Sequence, residues 1–469
     1  MRLKCIVILL FLVFNLPLNG QDTSKTLNAN QLISWVKKYH PVVRQTEIEI
    51  GISESNITIA RGGFDPKIQV EYESKTFNGT NYFEHLTSQV ALPAWYGIEF
   101  KGGIEQLNGD RQDPTLTSNQ SSFVGVNFSL AKNLVIDKRR AALKQAKIFN
   151  SMAYVQQRAI VNDLLLEAVE QYWNWVAAYQ KFEIMNRNVE INLDRFQLVK
   201  RTFELGERPA IDTIEALTQL QSFQYLRNNY WLEFQNTGLL LSAFLWMEGD
   251  LPYFLPETVI PVKDWDKEEF VLTYQPVLEN LLIQASLNHP ELNMYNYKLD
   301  ALEVERKLKF QELLPVVNFQ YNQLGKGFNL ATTAVEGPIF RNNYKYGFNI
   351  ELPMTFAKGR GDFKIAKLKI ENTALDRLQK SNAIEIKVKS YFNQFLMLQK
   401  QIELQSLNYK NYQLLVRAEE VRFKNGESSL FLINSRENKA LESLEKLIEN
   451  KVKLYKTIFA LQWSAGLLN

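Results

Sequence analysis

Few residues in this 469-residue chain have the types and spacing for chemistry. His40, His85 and His289 are its only histidines, and Cys5 is its only cysteine. His40 and His289 each precede a proline at matching places in two helices, which points to a structural role. Gly102-Gly103 and Gly359 to Gly361 are followed by no Gly-Lys-Ser/Thr, so neither is a phosphate loop. No nucleophile stands beside a base. We therefore expect no catalytic, cofactor or metal site, and no enzyme. The remaining polar candidates sit at two helix breaks. One is Gly206, Glu207, Arg208 and Pro209, followed by Asp212 and Glu215. The other is Gly426, Glu427, Ser428 and Ser429, followed by Asn434. Each is open to two readings: a mere turn, or a docking surface and pore rim where clustered carboxylates attract cations.

The elements that position these breaks are long helices. Val161, Leu165, Ala168, Tyr172, Trp175, Tyr179 and Phe182 follow a 4-3-4-3 spacing. Ile384, Val388, Tyr391, Phe395, Leu398 and Ile402 repeat it about 223 residues later. The stretch from Asn127 to Ile148 aligns without a gap to Asn349 to Ile370. His40-Pro41 recurs as His289-Pro290, and Phe203 to Glu207 as Phe423 to Glu427. Several landmarks in one order indicate a tandem duplication.

Composition narrows the class. Charge is nearly balanced, 54 basic against 51 acidic residues, which argues against a nucleic-acid partner. Residues 1–20 read as a secretory signal: Arg2 and Lys4, the apolar run Ile6 to Phe14, then Pro17 and Gly20. Cys5 falls inside it, so a mature chain would carry no disulfide. Beyond it, the best apolar run, Gly238 to Met247, is roughly half a membrane span. If the protein crosses a membrane, it must do so with strands.

The first repeat is expected over 21–247. It opens with one helix from Leu27 to roughly Ala60. Strands follow over about 67–130: Ile68 to Tyr72, Leu86 to Leu92, Tyr96 to Phe100 and Val124 to Leu130 each alternate apolar with polar. Asn78-Gly79 makes a hairpin turn between the first two. A helix of roughly 68 residues, about 100 Å long, runs to Glu204. It breaks at a tip over about 206–212 and returns to Trp246. A proline-containing linker occupies 248–275. The second repeat, 276–469, runs Pro276 to Leu313 as helix and has strands over about 314–354. A long helix follows from Gly361 to Phe423, a tip over about 425–432, and a return helix to Leu461. Gly325 to Asn343 reads as a loop. Tyr72, Tyr82, Phe83, Trp95, Tyr96, Tyr321, Tyr344 and Tyr346 lie in or beside strands, as interfacial aromatics do in membrane barrels. Two to four strands per repeat cannot close a barrel in one chain, so closure requires an oligomer.

At this point the chain resembles the TolC family of outer-membrane efflux proteins, over roughly residues 27 to 467. The duplicated helix–strand–strand–helix order carries the resemblance. So do Asn-His-Pro-Glu-Leu at Asn288 to Leu292, the strand-to-helix passage Leu130 to Lys147, and the tip Gly206 to Ala216. The last is similar to the family's G-x-x-x-x-x-D-V-L-x-A pattern, and the segment from Gly426 resembles it more loosely. The resemblance implies a mostly α fold with β, in which trimerisation forms a long α-helical barrel and a membrane β-barrel. It implies a homotrimer in outer-membrane lipid with a long periplasmic part. Its partners would be a periplasmic adaptor protein and an inner-membrane transporter. The chain would be the passive outer-membrane duct of a tripartite export system. A type I protein secretion channel is the alternative within that class, and a structural trimeric coiled-coil envelope protein the alternative outside it. Acidic residues narrow the entrance in family members. Asp212 and Glu215 match in the first repeat, while Leu432 and Ser435, with Asn434 between them, depart in the second. The extra hairpin between Asn78 and Gly103 also departs, leaving 12 strands per trimer by analogy or 18 if all six segments join.

Overall fold

The computed structural model describes residues 26–110, 119–267, 274–335, 339–341 and 343–468. The expected signal over 1–20 lies outside these residues, as do parts of two loops and of the linker. In chain order the main elements of the first half are α1 (Ala29–Tyr39), α2 (Pro41–Arg61), β1 (Lys67–Phe77), β2 (Thr80–Pro93), β3 (Ile98–Asn108), β4 (Gln120–Ser129), α3 (Lys138–Glu204) and α4 (Ala210–Ser242). The second half has α5 (Leu278–Asn288), α6 (Pro290–Gln311), β5 (Val316–Lys326), α7 (Leu330–Val335), β6 (Tyr344–Glu351), α8 (Ala357–Lys424) and α9 (Leu430–Ser464). The fold is thus mostly α with one six-stranded antiparallel sheet, as the pattern implies.

Two expected single helices are in fact pairs. Pro41 and Pro290 lack the N–H that would continue a helix, and a residue before proline is pushed out of the α region. His40 and His289 accordingly stand in extended backbone, at φ −70°, ψ 130° and φ −59°, ψ 124°. Each caps the helix it begins. The Val42 N–H donates to His40 Nδ1 and the Glu291 N–H to His289 Nδ1, both at 3.2 Å. Three smaller differences have local causes. Tyr96 is not in a strand: at φ 61° it turns the chain between β2 and β3. The return helix α4 ends at Ser242, short of Trp246. Part of the loop expected from Gly325 forms α7, whose first turn is held by the Asn329 side chain.

The long helices α3 and α8, of 67 and 68 residues, pack against α4 and α9 respectively. Their shared seam is aromatic. Tyr172, Trp173 and Trp175 on α3 are fully buried with Phe234 and Leu241 of α4, Phe395 of α8 and Ile458 of α9. Trp173 stacks on Tyr455 with ring centroids 4.5 Å apart. The heptad from Val161 to Tyr179 forms this core, and Ile384 and Val388 of α8 form a second with Leu281 and Leu292.

All six long strands join one curled sheet, in the order β6-β5-β4-β3-β2-β1. Every neighbouring pair is antiparallel, and the register keeps one set of side chains on one face. Ile68, Val70 and Tyr72 of β1 share one face with Val90, Phe100 and Val126 and with Tyr346, Phe348 and Ile350 of β6. At both edges of the sheet this apolar face is open: Ile68 is 80% exposed and Ile350 69%. The alternate residues, among them Gln69, Glu71, Lys101, Asn127, Gln320 and Asn349, give the opposite face its polar character. Among the described residues no helix is long and apolar enough to cross a membrane.

Candidate functional site

Both helix breaks fold by the same local physics. Gly206 and Gly426 each adopt φ 78°, the left-handed conformation that glycine takes without a Cβ penalty. Glu207 N–H then bonds to Thr202 O and Gly206 N–H to Phe203 O. In the second tip Glu427 N–H bonds to Arg422 O and Gly426 N–H to Phe423 O. This double closure satisfies the last carbonyls of α3 and α8. The return helices start differently. Ser429 Oγ accepts from the Leu432 N–H to cap α9, whereas Pro209 precedes α4 with no side-chain cap.

The two tips meet side by side. Leu430 is fully buried against Val199 and Ala216, so the second tip is seated on the first hairpin. Arg208 lies over the Phe423 ring, 3.7 Å from its centroid, and donates to Asp212 Oδ2 at 3.2 Å. Asp212 is therefore an ion-paired carboxylate within its own chain. Asn434 Nδ2 donates to Glu215 Oε1 at 3.4 Å. Burial raises the Glu215 carboxyl above its ordinary value, Asp212 adds to the rise, and Asn434 opposes it. Ser428 donates to Glu419, which also faces Arg422 at 3.7 Å and Arg436 at 4.0 Å. Glu207 and Glu427 are exposed at the apex.

The structure thus brings Asp212, Glu215 and Asn434 to one end of the rods, together with Arg208 and Pro209. Sequence reasoning missed three residues here: Phe423, Glu419 and Leu430. Phe423 lies 215 residues from Arg208, and only the packing of the two hairpins brings them together. Leu430 follows Ser429 as an apolar residue after a cap, the one signal that could have marked it. Among the described residues no cluster of His, Cys, Asp and Glu could hold a metal ion.

No family model matches the chain, and no curated protein sequence matches it significantly. Solved structures do. The Campylobacter jejuni CmeC outer membrane channel is 13% identical, covers 94% of this chain and 86% of its own, and superimposes with a TM-score of 0.64. The open-state MtrE outer membrane channel of Neisseria gonorrhoeae is 12% identical over 93% and 88%, with a TM-score of 0.66. The outer membrane protein VceC of Vibrio cholerae is 11% identical over 93% and 96%, with a TM-score of 0.63. Across nearly its whole length, this chain has the TolC-like fold of these outer-membrane proteins.

Proposed function

We propose that three copies of this chain close into one passive export duct. Their sheets form a β-barrel in the outer membrane, and their helical hairpins extend it through the periplasm. The observation that carries this reading is the open sheet. It has one apolar face, one polar face and two edges, β1 and β6, left open in a single chain; in a closed barrel the apolar face would meet lipid and the polar face the lumen. The strand ends that lead to helices, at Lys67, Ser129, Val316 and Glu351, lie at one end of the sheet, so the rods would extend the barrel from that end. The likeness to CmeC and MtrE, both described as outer membrane channels, supports it. The paired tips at Gly206 to Pro209 and Gly426 to Ser429 would meet a periplasmic adaptor protein, which links the duct to an inner-membrane transporter. Asp212 and Glu215 of the three copies would stand near the pore entrance.

The test is direct. The full-length chain, expressed in a Gram-negative host, should fractionate with the outer membrane and give a trimer by light scattering in mild detergent. It should also conduct ions in planar bilayers. Monomers without conductance would refute the reading.

A further inference from the structure

We infer that the barrel closes through one defined seam, in which Lys67 of one copy lies opposite Glu351 of the next and Glu73 opposite Lys345. The inference rests on the duct proposed above and adds the contact that builds it.

The first support is geometric. The ladder from Lys67 crosses the sheet through Ala91, Lys101, Gly125 and Asn322 to Lys345. Lys345 is not the lower end of β6; the strand continues six residues to Glu351. The ends themselves correspond. β1 starts six residues after α2 ends at Arg61, and β6 ends six residues before α8 begins at Ala357. Level ends set Lys67 beside the neighbour's Glu351, and the antiparallel count then sets Glu73 beside Lys345. Each copy so contributes a stagger of six residues over six strands. Three copies make eighteen strands with a stagger of about eighteen residues, a strand tilt of about 35°. That tilt lies where closed barrels lie, and no charge entered the calculation.

The second support is chemical. In this register both opposed charge pairs on the inner face are of opposite sign. The outer face sets Ile68 against Ile350, Val70 against Phe348 and Tyr72 against Tyr346, continuing the apolar belt. A slip of one residue would reverse the faces of β1. A slip of two sets Lys345 against Lys75 in one direction; in the other it keeps only one opposite pair, Lys345 with Glu71, and brings Glu351 level with Asp65, two residues before β1. Like charges directly opposite are unfavourable. One register satisfies all these conditions.

Cysteine cross-linking tests it in the full-length chain, whose lone Cys5 lies in the segment expected to be removed. Tyr72 and Tyr346 are on opposite edges of one sheet, so a bond between them must join two copies. On oxidation with copper phenanthroline, Tyr72→Cys with Tyr346→Cys should give covalent dimers and trimers. The yield should exceed by roughly tenfold that of Tyr72→Cys with Phe348→Cys or with Tyr344→Cys, which report the two-residue slips. In a second arm, Lys67→Glu should weaken the trimer in detergent, and adding Glu351→Lys should restore it. Preferential cross-linking through either slipped pair would overturn the seam. So would an intact, conducting trimer that forms none of these bonds, which leaves the duct standing. A parent chain that never trimerises would overturn both.

Discussion

Arg195 of α3 and Glu437 of α9 form a two-pronged ion pair between the two hairpins, with N–O distances of 2.6 and 2.5 Å. Their side chains are only 12% and 11% exposed. Glu420 of α8 stands 3.6 Å from the same guanidinium. Arg195 thus neutralises carboxylates on both helices of the second hairpin. Arg195→Met should cost about 3–5 kcal/mol, because it leaves Glu437 charged and largely buried without a partner. Adding Glu437→Leu should recover much of that loss. Thermal unfolding followed by circular dichroism in detergent measures both. A single-variant loss below about 0.5 kcal/mol would place the pair with ordinary surface ion pairs.

Trp175 and Leu398 occupy matching places in the two heptads, and both are buried, at 1% and 2% exposure. Trp175 packs on Phe234 with centroids 5.9 Å apart. Trp175→Ala should destabilise by about 3–5 kcal/mol and Leu398→Ala by about 2–5 kcal/mol, through lost burial and the cavity left behind. Lys446→Ala, on an exposed helix face, serves as the control. Equal melting temperatures for Leu398→Ala and the parent would contradict this packing.

His289 caps α6 through a neutral ring nitrogen, and burial holds its pKa below the ordinary value, with Lys387 and Lys380 adding to that and Glu291 opposing. The unfolded chain therefore binds the proton more readily than the folded one. The stabilising contribution is full above about pH 6.5 and is lost as pH falls toward the folded-state value. His289→Asn keeps a side-chain acceptor for the Glu291 N–H without the titration. It should unfold with less pH dependence on the acid side, while His289→Ala should lose about 0.5–2 kcal/mol at neutral pH. Parallel acid slopes for the parent and His289→Asn would show that folding does not shift the His289 titration.

Periodicity explains what could be read before the structure. The heptads from Val161 and from Ile384 declare two long helices, because a 4-3 seam has no other regular solution. The alternation at Ile68 to Tyr72 and Tyr346 to Ile350 declares strands with two unlike faces. Breaks at His40 and His289 were legible too, since each precedes a proline, but the helical pattern on both sides hid them. What the sequence could not show is pairing at a distance. That β1 and β2 continue the same sheet as β3 to β6 depends on the β2–β3 register across Tyr96 and Gly97, and an Asn-Gly hairpin could equally have stood apart. The partners of the tip residues were hidden for the same reason. Asp212 is legible in the sequence as a carboxylate of a candidate pore rim, yet its charge is met by Arg208, whose guanidinium lies on Phe423, 215 residues away.

That last relationship alters what the proposed entrance should do to ions. With Arg208 paired to Asp212 at 3.2 Å, each copy offers almost no net charge from this pair, and Glu215 is biased toward its neutral form by burial and by Asp212. In a threefold duct, removing Asp212 would then leave three unpaired Arg208 cations, and removing Arg208 would leave three unpaired Asp212 anions. Asp212→Asn should shift the reversal potential in a salt gradient toward anions, and Arg208→Gln should shift it toward cations by a comparable amount. Arg208→Gln should also sharpen block by multivalent cations, since clustered carboxylates attract them. The double variant should return to near the parent value, because the pair is removed together. A pair that merely caps α4 would leave ion selectivity unmoved in all three variants, with only small losses in stability. Reversal potentials measured at two ionic strengths separate the cases, because the electrostatic shifts must shrink as salt shortens the screening length.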